Sequence, residues 1–202
     1  MRERVSLALV HHPTVDREGR VVASAVTPLD LHDLARLART YGLEGLVVTT
    51  PLEAQQGLIV RLLDHWVRGE GGRLNPWRRE ALERVRLCRD LEEATGLLRE
   101  RWGSPPWVVA TSAREGEDRV TFARAREEMA RTGRPVLLVF GTGWGLAPGA
   151  LALCDAVLEP VRGAEGYNHL SVRSAASIVV DRLFGPGQLE TRKTPGISSR
   201  ER

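Results

Sequence analysis

Cysteine is scarce in this chain of 202 residues: Cys88 and Cys154 stand far apart and belong to no partner motif. That excludes a disulfide framework and a cysteine-built zinc site, and it suits a reducing cytosol. Each thiol lies among apolar residues, where inert buried cysteines are expected. No metal is expected. No apolar run approaches the ~18 residues that cross a bilayer, so no membrane partner is expected either. The N-terminus, MRERVSLALVHHP, starts basic, but its apolar stretch is short and no small-residue cleavage site follows. It is expected to be a first strand rather than a signal peptide. Lysine is nearly missing: the 29 basic residues are almost all arginine, set against 26 acidic ones for a net charge of +3. Guanidinium forks grip phosphate and stack on bases, so a polyanionic partner is allowed. Solvated helix faces would use the same residues, so the charge does not require one.

What is present reads as an α/β chain. Val5–Val10 suits a buried strand ended by His11, His12 and Pro13. A polar turn (DREGR) and an alternating VVASAV follow, as an extra hairpin strand or an excursion. Thr27, Pro28 and Asp30 form a helix start with a capping-box acid, and Leu31, Leu34, Ala35, Leu37 and Ala38 recur at helical spacing until Gly42. A strand at 46–50 and a helix at 53–66 continue the β-α-β-α order, which implies parallel strands under covering helices. Residues 68–80, rich in glycine and arginine, are expected to be an exposed loop. Arg68, Arg73, Arg78 and Arg79 surround Trp77 there, either as a solvated loop or as RNA contacts. A helix is expected over 79–100, then a strand at 107–111, a helix near 119–131, strands at 135–140 and 156–158, and a helix at 169–183. Residues 1–184 form one domain, and the tail 185–202, lacking apolar periodicity, is expected to be disordered.

Three constellations could carry chemistry. In the first, the strand Val136–Phe140 runs into Gly141-Thr142-Gly143-Trp144-Gly145. Ligands of open parallel sheets bind at the carboxyl ends of strands, and glycines admit them close to the backbone. A tight turn would use the same glycines. In the second, Leu158–Gly163 is followed by a polar cluster, Tyr167–Arg173, that opens a helix of small residues. Its polar groups can meet a ligand or cap the helix. In the third, His32, Arg36 and Arg39 project from the first helix, where a solvated face is the plain alternative. His11 and His12 end a strand on the same side.

In this order the segments resemble the SPOUT RNA methyltransferases. In the SpoU branch, the first motif sets an Arg six residues before a Gly, matched by Arg36 and Gly42. A strand with a phenylalanine-glycine loop is matched by Phe140–Leu146, and a proline-glycine loop before a small-residue helix by Pro160–Ile178. More narrowly, ALVHHP, DLHDLARLARTYGLEGLVVTTPLEAQQ, VVATSAR, LLVFGTGWGL and YNHLSVRSAASIVVDRL are similar to a bacterial group of SPOUT methyltransferases. Two departures stand out: Gly143 occupies the place of the second motif's Glu, and His169, beside Asn168, falls opposite the third motif's Asn.

The resemblance implies a parallel-sheet SPOUT fold with a C-terminal deep trefoil knot, an exception to the rule against knots. It implies S-adenosylmethionine as cofactor, RNA (tRNA or rRNA) as methyl acceptor, a homodimer and a cytoplasmic location. The cofactor is expected to touch Thr111, Leu138, Phe140, Gly141, Thr142, Gly143, Glu159, Pro160, Val161, Gly163, Asn168, Leu170, Ser171 and Ala175. Arg36, Asn168, His169 and Arg173 are the expected catalytic residues. Two other readings are a SPOUT-fold binding module without methyl transfer and an unknotted flavodoxin-like fold using GTGWG for phosphate.

Overall fold

The computed structural model describes residues 2–164 and 167–186. A short 3-10 turn leads into β1 (Val5–Val10), and β2 (Thr14–Val15) and β3 (Val21–Val22) form a small antiparallel hairpin. Then come α1 (Pro28–Thr40), β4 (Gly45–Thr49), α2 (Glu53–Leu63), a π-helical turn at Asp64–Arg68, α3 (Glu70–Leu74), α4 (Pro76–Leu82) and β5 (Val85–Cys88). The second half holds α5 (Leu91–Trp102), β6 (Trp107–Ala110), β7 (Arg119–Val120), α6 (Phe122–Thr132), β8 (Val136–Gly141), α7 (Pro148–Leu151), β9 (Ala156–Leu158) and α8 (Val172–Phe184).

Seven strands form one sheet in the order β5-β4-β1-β8-β6-β9-β7, and every pairing is parallel. Strand side chains alternate between faces, and the two cores follow that parity. Val5, Leu7, Leu9, Val136, Leu138 and Phe140 join one apolar cluster with residues of α1, α6 and α8. Ala8, Val10, Leu137 and Val139 join a second with residues of α5 and α7. The chain passes from β1 to β4 and β5 on one side, then returns to fill β8, β6 and β9 on the other. The carboxyl ends of β1 and β8 therefore adjoin where the strand order reverses, the usual ligand position of an open α/β sheet.

The start of α1 matches its sequence: Thr27 Oγ1 accepts from Asp30 N at 3.2 Å and donates to Asp30 Oδ2 at 2.6 Å. Two expectations are corrected. The helix over 79–100 is broken by β5, which pairs in register with β4 from Leu46↔Val85 to Thr49↔Cys88. Backbone pairing on an open sheet edge outweighs a helical propensity of a few tenths of a kcal/mol per residue. Residues 68–80 are not an open loop. Asn75 Oδ1 accepts from Arg78 N at 3.0 Å and Pro76 opens α4, while Gly71 and Gly72 are buried against Trp66. The expected tail lies outside the described residues from position 187 onward.

Burial pushes both thiols up, Cys88 and Cys154 each to about 11. Little thiolate then exists near neutrality. Alkylation of the folded protein by iodoacetamide at pH 7.5, followed by intact mass, is expected to be far slower than in urea.

Candidate active site

The loop after β8 is fixed by the excursion after β1. Gly143 and Gly145 have φ of +61° and +108°, which brings the loop back across the strand ends. Val15 N donates to Gly145 O at 3.0 Å, Trp144 N donates to Val15 O at 3.1 Å, and Ala147 N donates to Pro13 O at 3.1 Å. So the polar turn and VVASAV segment form a wall of the site.

Behind that wall runs a chain of polar groups. Thr142 Oγ1 donates to Val10 O at 3.0 Å, Ser24 Oγ shares a short hydrogen bond with Thr142 Oγ1, and His11 Nδ1 lies 2.9 Å from Ser24 Oγ. With the Thr142 proton on Val10, Ser24 donates to Thr142 and accepts from His11. The tautomer that fits carries its proton on Nδ1. His11 is fully buried, and burial holds it down at about 4 against the opposing pull of the Asp30 carboxylate. A histidine depressed in the folded state stabilises it fully above the unfolded value of 6.5 and loses that contribution as pH falls toward about 4. The loss amounts to ~3 kcal/mol across that window. Urea midpoints are expected to fall between pH 7 and pH 5 by more in the parent protein than in His11→Gln.

The third wall is the stretch after β9. Glu159 N donates to Val120 O at 2.9 Å, and its Oε1 accepts from Phe122 N at 2.8 Å, tying the stretch to the start of α6. Asn168 Nδ2 donates to Ala113 O at 2.9 Å. Ser171 caps α8, its Oγ accepting from Ser174 N at 3.2 Å.

These walls enclose a cavity of about 950 Å3, at the upper end of the ~300–1,000 Å3 typical of small-molecule sites. Thr111, Phe140, Gly141, Thr142, Gly143 and Glu159 line it, joined by Val161, Asn168, His169, Leu170, Ser171 and Ala175. Three of the expected residues do not. Leu138 is buried in the core with its backbone paired to both β1 and β6. Pro160 is buried outside the lining. Gly163 lies so close to Tyr167 that a Cβ there would sit 2.0 Å from its carbonyl oxygen.

A smaller cavity of about 420 Å3 adjoins, lined by Asp33, Arg36, Leu37, Ser171, Arg173, Ser174 and Ser177. Ser171 belongs to both. Arg173 is held between Asp30 at 3.3 Å and Asp33 at 3.1 Å, whereas Arg36 is exposed and forms no ion pair among the described residues. Arg36 is thus the cation free to meet a ligand there. His169 is exposed, with its ring edge-on to Tyr167 at 5.3 Å.

Sequence reading missed Arg17, Ser24, Asp30, Ser112, Arg114 and Trp144 as lining residues. Asp30 comes from the first turn of α1, and the others lie on loops, which leave no periodic signal. The Trp77 cluster looks different in space. Arg68, Arg73 and Arg79 pair with Asp64, Glu70 and Glu83, and Arg78 lies 4.8 Å over the Trp66 ring. No helix is long and apolar enough to cross a membrane, and no group of three metal-ligating side chains occurs, both among the described residues.

The cavity suits a nucleoside. Phe140, Val161, Leu170 and Ala175 give its lining an apolar part, and Gly141, Thr142 and Gly143 line it beside them.

A family model described as SAM-dependent RNA methyltransferase matches residues 4–185. A tRNA (guanine-N(1)-)-methyltransferase of Nitratidesulfovibrio vulgaris is 51% identical over 178 residues, 88% of this chain and 41% of that protein. One of Oleidesulfovibrio alaskensis is 49% identical with the same coverage. The chain thus spans 41% of the length of these curated relatives. An uncharacterized protein of Aquifex aeolicus is 39% identical over 91% of this chain and 90% of its own. Among solved structures, a probable methyltransferase from Bordetella pertussis has a TM-score of 0.60 at 20% identity, covering 89% of this chain and 94% of that one. TrmJ from Z. mobilis has 0.59 at 16%, covering 95% and 72%. The SpoU methyltransferase AviRb from Streptomyces viridochromogenes, in complex with AdoMet, has 0.53 at 17%, covering 89% and 58%. At such identities the likeness speaks to the fold, which is the α/β SPOUT architecture.

Proposed function

This chain belongs to the family of SAM-dependent RNA methyltransferases, and from that membership we propose that it transfers a methyl group to a nucleotide of tRNA. One observation carries the reading. The loop after Phe140, the stretch from Glu159 and the opening of α8 close on one nucleoside-sized cavity, and that cavity shares Ser171 with the pocket holding Arg36. The names of the two curated tRNA methyltransferases support tRNA among RNAs.

When bound, S-adenosylmethionine supplies a methyl group made labile by the sulfonium. The chain's own residues then hold the acceptor in line and manage its proton. The apolar part of the lining takes the adenine face, and the backbone from Gly141 to Gly143 meets its edge. Arg36 brings a planar guanidinium fork of N–H donors and no acceptor. Its role is to stabilise charge developing on the acceptor or to clamp a phosphate. His169, on the cavity wall, is placed to take the acceptor's proton. Asn168, bonded to Ala113, positions the 167–171 stretch, and Arg173, bonded to Asp30 and Asp33, positions the start of α8. The same reading has α8 threaded in a trefoil knot and the protein working as a cytoplasmic homodimer. Tyr41 Oη donates to Asp181 Oδ1 at 2.8 Å, which sets α8 against the end of α1.

Calorimetry with S-adenosylhomocysteine and methyl transfer from labelled cofactor to unmodified bulk tRNA test the proposal together. Binding and transfer are expected. Binding without transfer would leave a binding module, and absence of both would refute the reading.

A further inference from the structure

The mouth of the large cavity carries an exposed aromatic ring on a fixed backbone. Trp144 is 53% exposed. Its backbone is nevertheless held on both sides: N donates to Val15 O at 3.1 Å, and O accepts from the Arg114 guanidinium at 3.3 Å. An indole normally gains much by burial, and this one is kept in water by a loop pinned along its length.

Arg17, in the turn between β2 and β3, and Arg114, after β6, line the same cavity as Trp144. Neither forms an ion pair among the described residues, whereas ten other arginines do. The neighbouring carboxylates are engaged elsewhere: Asp16 and Glu18 pair with Arg20, and Glu115 pairs with Arg162. The charge of Arg17 and Arg114 is therefore available to a ligand. Trp77, although 82% exposed, lies among Arg68, Arg73 and Arg79, each matched to a carboxylate, and Arg78, which is stacked over Trp66.

We propose that Trp144, Arg17 and Arg114 form a docking site for one unpaired RNA nucleotide at the cavity mouth. The base lies on the indole face, and the flanking phosphates meet the two guanidiniums. Every base offers a π-face, so the site reads strandedness rather than sequence. A nucleotide inside a helix cannot reach it without leaving the stack. The proposal rests on the methyltransferase reading and locates the RNA on that site.

The probes are a short oligouridylate, S-adenosylhomocysteine and methylthioadenosine, which lacks the amino-acid carboxylate. Trp144→Ala is expected to weaken oligouridylate binding roughly 5- to 150-fold, with Trp144→Phe recovering most of it. Arg17→Ala with Arg114→Ala is expected to flatten the log–log salt dependence by about 1.4, the share of two phosphate contacts on a single strand. Affinity for S-adenosylhomocysteine should fall by much less than affinity for oligouridylate in each of these variants. Unchanged oligouridylate binding in Trp144→Ala and in the double variant would overturn the docking site alone. Weakened S-adenosylhomocysteine with unweakened methylthioadenosine in the double variant would also overturn it, because the guanidiniums would then hold the cofactor's carboxylate. A parent protein that binds neither nucleic acid nor S-adenosylhomocysteine would overturn the methyltransferase reading along with it.

Discussion

Arg36→Ala is expected to leave S-adenosylhomocysteine affinity unchanged and to lower the methyl-transfer rate about 100- to 1,000-fold, the usual loss when one preorganised donor to developing charge is removed. Stability should barely move. Arg36 is exposed on α1 and unpaired among the described residues. Surface substitutions of that kind stay within about 0.5 kcal/mol, and alanine favours the helix slightly. The loss of rate therefore cannot be assigned to unfolding, and a urea melt run beside the transfer assay checks this. Arg36→Lys should recover only part of the rate, because an ammonium keeps the charge without the planar fork. Unchanged turnover in Arg36→Ala would remove this residue from the mechanism.

Gly141→Ala should cost cofactor affinity about 10- to 100-fold, through the loop rather than through any lost contact. A Cβ at position 141 would lie 2.7 Å from Leu146 N and 2.9 Å from Leu146 Cγ. Leu146 is nearly buried and pairs with Thr14 across the wall of the site. Relief requires the loop to move off β2, which strains the bonds from Trp144 and Gly145 to Val15. Overpacking of this kind costs about 1–3 kcal/mol, and each 1.4 kcal/mol is tenfold in affinity. Calorimetry with S-adenosylhomocysteine measures it. Gly149→Ala, where a Cβ meets nothing within 4 Å, is the matched control and should bind as the parent does.

Where sequence carries a periodic or local signal, the structure was legible from it. The apolar runs of β1 and β8 and the cap of α1 lie where their patterns predict. So does the Gly-rich loop, whose position after a buried strand left a ligand site and a tight turn both open. The failures have a common cause. β5 is read as helix by its neighbours' composition, and only the open edge of β4 makes it a strand. A local sign of the break did exist. Asp90 Oδ1 accepts from Glu93 N at 2.8 Å, and Glu93 Oε2 accepts from Arg89 N at 2.6 Å, so the first turn of α5 carries a two-way cap. The glycines of α3 were read as loop residues, although they serve close packing against Trp66. Ser24 and Arg17 reach the cavity only because the β2–β3 hairpin folds over the end of β8. No window of sequence contains that contact.

The proposed closure of three separated stretches around one adenosyl group can be followed by amide chemical-shift mapping on addition of S-adenosylhomocysteine. Perturbations are expected to concentrate at 140–146, 159–163 and 168–172, with the Trp77 region silent. Shifts confined to one of those stretches, or gathered elsewhere on the protein, would contradict it.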